Sequence, residues 1–165
     1  MRRVSRMMAE MTLPKSLWFT LVGVAVACTP SALTPTLHYL NVGSGERREL
    51  QAIVSEIEAA MGDKAFAGRQ ITRHTDASEH IVVVHTREPY HIHEHSDIAG
   101  VVLAGRGSLL MPQGVVPLAS GDMISIPRGT PHAFINGGQR HAVLYAVFTP
   151  PYVDGDRLPV TAPAD

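Results

Sequence analysis

The sequence predicts an all-β domain, a sandwich or barrel of short strands that is preceded by one helix and an N-terminal export signal. Beyond Gly68 the chain consists of short β-type runs separated by turn residues, many of them Gly or Pro. Only one segment has apolar residues at helical spacing. The length of 165 residues, with 45% hydrophobic residues, suits one domain with an ordinary core.

The first element is typical of an exported protein. Several basic residues precede an apolar run from Leu17 to Ala27, which is too short for the roughly 20 residues of a membrane span. The single cysteine, Cys28, follows directly and resembles the lipidated first residue of a bacterial lipoprotein. Cleavage to a soluble exported protein, an uncleaved anchor and a buried apolar segment are the alternatives. We expect an exported protein, periplasmic or attached to the membrane only through lipid at Cys28.

The second element is the predicted helix. Ser44 is placed to cap its start, Glu46 and Glu49 would lie in its first turn, and Gly62 would end it. Its apolar stripe consists of Leu50, Ile53, Val54, Ile57 and Met61. We expect this stripe to pack against the main domain rather than to dock a partner.

The remaining elements are eight predicted strands. They are Ile81–Thr86, Tyr90–His95, Ala99–Leu103, Ser108–Met111, Val115–Leu118, Met123–Ile126, His132–Ile135 and His141–Phe148. The predicted divisions of the chain are therefore a signal peptide over 1–27, a tether rich in Pro, Ser and Thr over 28–43, a helical extension over 44–79, a β domain over 80–150 and a C-terminal tail over 151–165.

Charge and cysteine content argue against a nucleic-acid-binding protein and against a fold held by internal disulfides. The formal net charge is −1 and no Lys/Arg cluster stands in the β domain, which argues against binding of nucleic acid. One cysteine cannot form an internal disulfide.

Three histidines alternate along one predicted strand. His91, His93 and His95 would share one face, because successive side chains of a strand point to opposite faces. Neighbours on that face are about 6.6 Å apart, close enough for two imidazoles to share an ion, whereas His91 and His95 are about 13 Å apart. One adjacent pair is expected to bind a metal, and His93 belongs to either pair.

A second motif runs from Gly121 to Asn136. It has Gly, five residues, Pro, one residue, Gly, two residues, His, three residues and Asn, at positions filled by Gly121, Pro127, Gly129, His132 and Asn136. This pattern resembles the second signature of the cupin superfamily. It also has a physical basis: Pro127 fixes φ at a strand end, Gly129 permits a sharp turn, and Asn136 can bond backbone groups.

The first cupin signature is matched less completely. It places His, one residue, His, three or four residues, Glu, then six residues and Gly. His91 and His93 match, the acid is Asp97, and Gly105 follows one residue too late. Counting back from Gly105 puts the acid position on Ile98, which cannot bind metal. Either Asp97 is the ligand with a one-residue bulge, or the site has three histidines and water.

The resemblance implies a double-stranded β-helix, the cupin jelly-roll barrel, with a metal inside its mouth. It implies imidazole ligands at His91, His93 and His132 and a weaker fourth ligand at Asp97. His95 is expected to lie at the rim or to hydrogen-bond near the ligands, and Tyr90 and Arg128 to reach a substrate.

Three imidazoles with one carboxylate suit Fe, Mn, Ni, Cu or Zn as divalent ions, and they leave coordination positions open. Two classes of function follow. The first is a metal-dependent enzyme, such as a dioxygenase, isomerase or lyase, that acts on a small molecule in the cell envelope. The second is a non-catalytic exported module that binds a metal or small ligand. A metal-free structural barrel is a third alternative. The resemblance also implies pairing into a homodimer. An enzyme should have titratable groups beside the open position, whereas a dry apolar pocket would argue against turnover.

Overall fold

The computed structural model describes residues 36–163, so the predictions for the signal peptide and for Cys28 lie outside the described residues. Within 36–163 there are one helix, α1 Leu50–Met61, and twelve strands. The strands are β1 His38–Asn41, β2 Glu46–Glu49, β3 Phe66–Arg73, β4 Ser78–Val84, β5 His91–His93, β6 Asp97–Ala104, β7 Arg106–Met111, β8 Gly114–Ala119, β9 Met123–Ile126, β10 Ala133–Asn136, β11 Ala142–Thr149 and β12 Arg157–Pro159. No helix in this part of the chain is both long and apolar enough to cross a membrane.

Two antiparallel layers form the barrel. One is a five-stranded sheet in the order β3-β4-β11-β6-β9. The other layer consists of the three-stranded sheet β10-β7-β8 and the two-stranded sheet β12-β5. A β-bridge between His91 and His132 joins these two sheets. Side chains of both layers meet inside, for example Val102 of β6 with Phe134 of β10. The predicted all-β class and the double-stranded β-helix are therefore confirmed.

The predicted helix packs on the outside of the five-stranded sheet. All five residues of its apolar stripe are buried, and Gly62 ends it as expected. The stripe contacts Ile81, Val83 and Val143, whereas Val84 faces the barrel interior. Strand β4 is thus covered on both faces, which explains the apolar run from Ile81 to Val84.

The start of the helix differs from the prediction. Residues 46–49 form β2, which pairs with β1 in the predicted tether, so the segments 28–43 and 44–79 both contain strands. Ser44 lies in the turn, where its Oγ accepts a hydrogen bond from the Glu46 amide. Glu46 and Glu49 belong to β2 and not to the first helical turn, because pairing with β1 keeps their backbone extended.

All eight predicted strands are present, and β9 has the expected bounds. Beyond β1 and β2, the prediction missed β3 and β12. Strand β3 is an edge strand of mixed polarity, so alternation does not reveal it. Strand β12 lies in the predicted tail 151–165 and pairs with β5, with Arg157 opposite His93. The tail is therefore a part of the barrel, and it reaches the site described below.

Candidate metal centre

Three histidines converge inside the barrel. His91 and His93 belong to β5, and His132 directly precedes β10. Each is buried, with 2%, 5% and 4% of its surface exposed. Each offers a ring nitrogen within 4.8 Å of the others, and the Nε2 atoms of His91 and His93 are 3.2 Å apart. The structure thus brings together the three histidines that the sequence predicted as ligands.

The backbone around His132 explains this convergence. The amide of His91 donates to the carbonyl of His132 at 3.0 Å, and the amide of His132 donates back to His91 at 2.8 Å. The turn before His132 contains Gly129 with φ +72°, and the Gly129 amide donates to the His93 carbonyl at 2.7 Å. A residue with a Cβ would resist that φ. The signature turn therefore fastens His132 directly to the strand that carries the other two histidines.

The outer nitrogen of each ring has a fixed acceptor. The Nδ1 atoms of His91 and His132 lie 2.7 and 2.9 Å from the carbonyl oxygens of Pro89 and Thr130, which can only accept. Nδ1 of His93 lies 2.8 Å from the carboxylate Oδ2 of Asp156. Each Nδ1 therefore carries the proton, and each Nε2 keeps its lone pair for a ligand.

Burial keeps these rings neutral. It lowers the pKa of His91 to about 3, with the nearby Arg157 and His132 adding to the effect. It also lowers the pKa of His93, against the opposing effect of Asp156, and the pKa of His132. Two unprotonated Nε2 atoms 3.2 Å apart repel each other unless a cation lies between them. Neutral imidazoles with converging lone pairs fit a divalent transition metal.

Asp97 does not belong to this cluster. Its side chain is 49% exposed, and its carboxylate accepts hydrogen bonds from the backbone amide and the guanidinium of Arg128. The hydrogen bonds from Arg128 lower the pKa of Asp97 to about 2. The prediction of Asp97 as a metal ligand is wrong for this geometry. The carboxylate instead holds the turn that leads to His132.

The other three predicted site residues also lie away from the cavity. Strand β5 ends at His93 and the chain bends, so His95 points to solvent with 60% of its side chain exposed. Arg128 forms an ion pair with Asp97 at the surface. Tyr90 is buried, but it does not line the cavity beside the histidines. The backbone of His95 still supports the site, because its amide donates to Asp156 at 2.6 Å.

Asp156 is the main residue that sequence reasoning missed. It is fully buried, and its Oδ1 accepts hydrogen bonds from the amides of His95 and Ser96 while Oδ2 accepts from the His93 ring. Burial by itself would raise the pKa of Asp156, but these hydrogen bonds outweigh it and lower the pKa. A carboxylate behind a ligating histidine fixes the ring's tautomer and raises its basicity. The sequence around Asp156 indicates only a turn, so no local pattern could have found it.

Two more missed residues, Arg157 and Glu88, line the approach to the histidines. The Arg157 guanidinium lies 4.2 Å above the ring of Phe66, 3.6 Å from the Glu88 carboxylate and 3.2 Å from Nδ1 of His91. Because that Nδ1 already donates to Pro89, the last contact is a proximity of charge rather than a hydrogen bond. Burial lowers the pKa of Arg157, and the nearby Glu88 opposes this shift.

A cavity of about 580 Å³ opens onto the cluster. It reaches His91 and His93, and a smaller cavity of about 70 Å³ reaches all three histidines from the apolar interior. The larger cavity has an ionisable lining, to which Arg73, His80, Glu88, Tyr152, Asp154 and Arg157 contribute. The histidines therefore lie at the base of a mouth whose lining combines ionisable, aromatic and aliphatic side chains.

Comparison with known proteins agrees with this architecture. A family model described as "Cupin domain" matches residues 78–148. The search of curated proteins gave no match.

Solved structures share the fold. An uncharacterized protein with a double-stranded β-helix domain from Klebsiella pneumoniae has a TM-score of 0.50 and 18% identity, over 54% of this chain and 80% of that chain. The polyketide cyclase RemF from Streptomyces resistomycificus has a TM-score of 0.52 and 23% identity, over 62% and 75%. Ectoine synthase from P. lautus has a TM-score of 0.51 and 15% identity, over 65% and 89%. The chain therefore contains a cupin domain over residues 78–148, and its double-stranded β-helix barrel agrees with that match.

Proposed function

We propose that the chain is a metal-dependent cupin enzyme that acts on a small polar molecule in the mouth of the barrel. The observation that carries the proposal is the cavity of about 580 Å³, which joins the histidine cluster to an ionisable lining. His91, His93 and His132 would hold a divalent transition metal. When bound, such a metal would polarise an oxygen atom of the substrate as a Lewis acid.

Arg157 is the residue best placed to bind the substrate. Its guanidinium is held over Phe66 beside the histidines and lines the cavity. A guanidinium presents several donors to a carboxylate or another oxygen-rich group. We therefore infer that the substrate carries an anionic or oxygen-rich group.

Glu88 is the residue best placed to move a proton. One carboxylate oxygen accepts a hydrogen bond from the Phe134 amide, and the other faces Arg157 at 3.6 Å. Glu88 lines both the mouth and the inner cavity, so it lies between bulk solvent and the histidines. A fixed carboxylate in such a position can accept a proton from a bound substrate.

Aromatic rings form one wall of the mouth. The ring of Phe148 packs against His80 at 4.7 Å, His93 at 5.1 Å and Tyr152 at 5.3 Å between centroids. Burial lowers the pKa of His80 to about 4, and the nearby Arg73 and His93 add to the shift. His80 is therefore neutral at physiological pH and serves the wall as an aromatic ring.

The alternative function is a non-catalytic exported module that binds a metal or small ligand. A dry apolar cavity would have favoured it, whereas the charged lining favours turnover. The polyketide cyclase and the ectoine synthase are enzymes by name, but at 23% and 15% identity the likeness concerns the fold alone.

A thermal-shift screen tests the substrate class. With metal-loaded protein, small carboxylates should raise the melting temperature more than the matching amides or alcohols, because ligands that bind the folded state stabilise it. The Arg157→Ala variant should bind them about tenfold more weakly, as expected for the loss of a charge-assisted hydrogen bond.

Arg128→Ala is the matched control, because that arginine is exposed and paired with Asp97 outside the cavity. Equal carboxylate binding by Arg157→Ala and wild type would contradict the role of Arg157. Ligands that bind are then incubated with the metal-loaded protein and analysed for products. Recovery of every ligand unchanged would favour the binding module.

We also propose that the protein is exported and carries lipid at Cys28. The support is the apolar run from Leu17 to Ala27 directly before the only cysteine. When the protein is expressed in a bacterial host and extracted by detergent phase separation, it should be recovered in the detergent phase. Mass spectrometry should then find a mature chain that begins at a lipid-modified Cys28. The Cys28→Ser variant should lack the lipid mass. Identical masses and phase distribution for both chains would contradict lipidation.

Pairing into a homodimer stays a prediction.

A further inference from the structure

A second group of potential metal ligands lies outside the barrel, where α1 meets the ends of two strands. Among residues 36–163, Glu58, His85 and His141 each place one ligand atom within 4.8 Å of the others. Glu58 belongs to α1, His85 follows β4 and His141 precedes β11. None of these residues lines the cavity at the first histidine cluster.

The three side chains face one another at the surface. Nδ1 of His141 lies 2.7 Å from Oε1 of Glu58, and both side chains are 28% exposed. The rings of His85 and His141 have centroids 5.8 Å apart and are tilted by 36°. All three ligand atoms lie within 4.8 Å of one another, so rotations of the side chains would bring them to the separation of about 3.4 Å that tetrahedral Zn–N bonds require. The partial exposure of Glu58 and His141 lets an ion from solvent reach them.

The backbone holds the two histidines in place. Strands β4 and β11 pair Val84 with Ala142, so His85 and His141 stand opposite each other one residue beyond the paired ends. The side-chain amide of Asn136 donates to the carbonyl of His85 at 2.8 Å and to that of Arg140 at 2.9 Å. One amide therefore ties together the two backbone segments that carry the histidines.

The helix supplies the third group from an equally fixed position. Glu58 follows Ile57, which is 3% exposed and packs on the five-stranded sheet. An ion pair would need only Glu58 and one histidine. His74 and Glu79 form such a simple pair elsewhere on the surface, at 3.3 Å. Beside α1, His85 adds a third potential metal ligand within 4.8 Å of Glu58 and His141.

We propose that Glu58, His85 and His141 bind a divalent transition metal, with Zn²⁺ as the best fit, and that this metal fastens α1 to the barrel. Two imidazoles and one carboxylate are ligands that Zn²⁺ accepts, and water would complete a tetrahedral site. Because the three ligands come from three elements, binding requires the folded arrangement and stabilises it.

Zinc stoichiometry of the full chain tests the proposal. Equilibrium dialysis against Zn²⁺ followed by elemental analysis compares wild type, His85→Ala, the barrel variant His93→Ala/His132→Ala, and the triple combination. His85→Ala should bind one ion fewer per chain than wild type. The barrel variant should keep the ion that the triple variant loses, so the test remains valid if the barrel site binds no zinc. In the barrel variant, Zn²⁺ should also raise the melting temperature, and the triple variant should lack that rise.

Two further variants complete the design. Glu58→Gln keeps the shape of the side chain but removes its charge, and it should weaken zinc binding about tenfold or more. His74→Ala removes a surface histidine of the simple pair and should change nothing. Equal zinc binding by the barrel variant and the triple variant would overturn the proposal. So would a melting temperature of the barrel variant that Zn²⁺ does not change.

Discussion

The double variant His93→Ala/His132→Ala is expected to lose the metal of the barrel, because it leaves His91 as the only imidazole of the cluster. All three Nε2 lone pairs are needed to offer a divalent ion a preorganised set of ligands. Affinity should fall more than about 100-fold, since loss of an outer partner alone costs up to that factor. Elemental analysis of protein purified without chelator, beside wild type, measures the change per chain.

The matched control removes two exposed histidines instead. His38→Ala/His74→Ala takes away the same side-chain type outside the cluster and should keep the wild-type metal content. Circular dichroism and thermal melting show whether each variant folds. Equal metal content in the barrel variant and in wild type would refute the assignment of His93 and His132 as ligands.

The second large effect is expected from Asp156→Asn, which should separate folding from metal binding. The asparagine oxygen can still accept from the amides of His95 and Ser96, but its NH₂ group would then face Nδ1 of His93. That nitrogen would have to accept, so its proton would move to Nε2 and block the ligand position. Metal affinity should fall about 10- to 100-fold.

Stability and tautomer can be measured independently of the metal. In a chelator, Asp156→Asn should lose about 1–3 kcal/mol in urea unfolding, since charge-assisted hydrogen bonds become neutral ones. Asp156→Ala should lose more, because three N–H groups, two of them buried, would lose their acceptor. The ¹⁵N shifts of the His93 ring should report protonation at Nε2 in Asp156→Asn.

Asp154→Asn is the control, because Asp154 is exposed in the same turn and makes no contact with the ring of His93. If Asp156→Asn binds the metal as tightly as wild type and keeps the His93 tautomer, the positioning role of Asp156 is refuted.

Local patterns predicted much of the fold. The apolar stripe of α1 was predictable because its residues recur at helical spacing within one segment of the sequence. All five of its residues are buried. The strands of the barrel were found because each is a short β-type run between turn residues. Strands β1 and β2 were missed because their extended shape depends on pairing with each other, and the helical pattern beside them suggested an earlier helix start.

The candidate site also has a part that local patterns predicted and a part that they did not. His91, His93 and His132 were predictable, because strand alternation and a motif of fixed spacing bring their side chains to one place. Asp97 was the wrong acid, although it stands close in sequence to the histidines, because its carboxylate is bound to Arg128 at the surface.

The sequence by itself determined the fold class, the helix and the three histidines of the barrel. Only the tertiary structure decided which carboxylate supports them and which charges line the mouth. Asp156 and Arg157 lie more than sixty residues beyond His93 and reach it only because β12 pairs with β5. Residue spacing records contacts within one segment, whereas contacts between distant segments depend on how the whole chain pairs and packs.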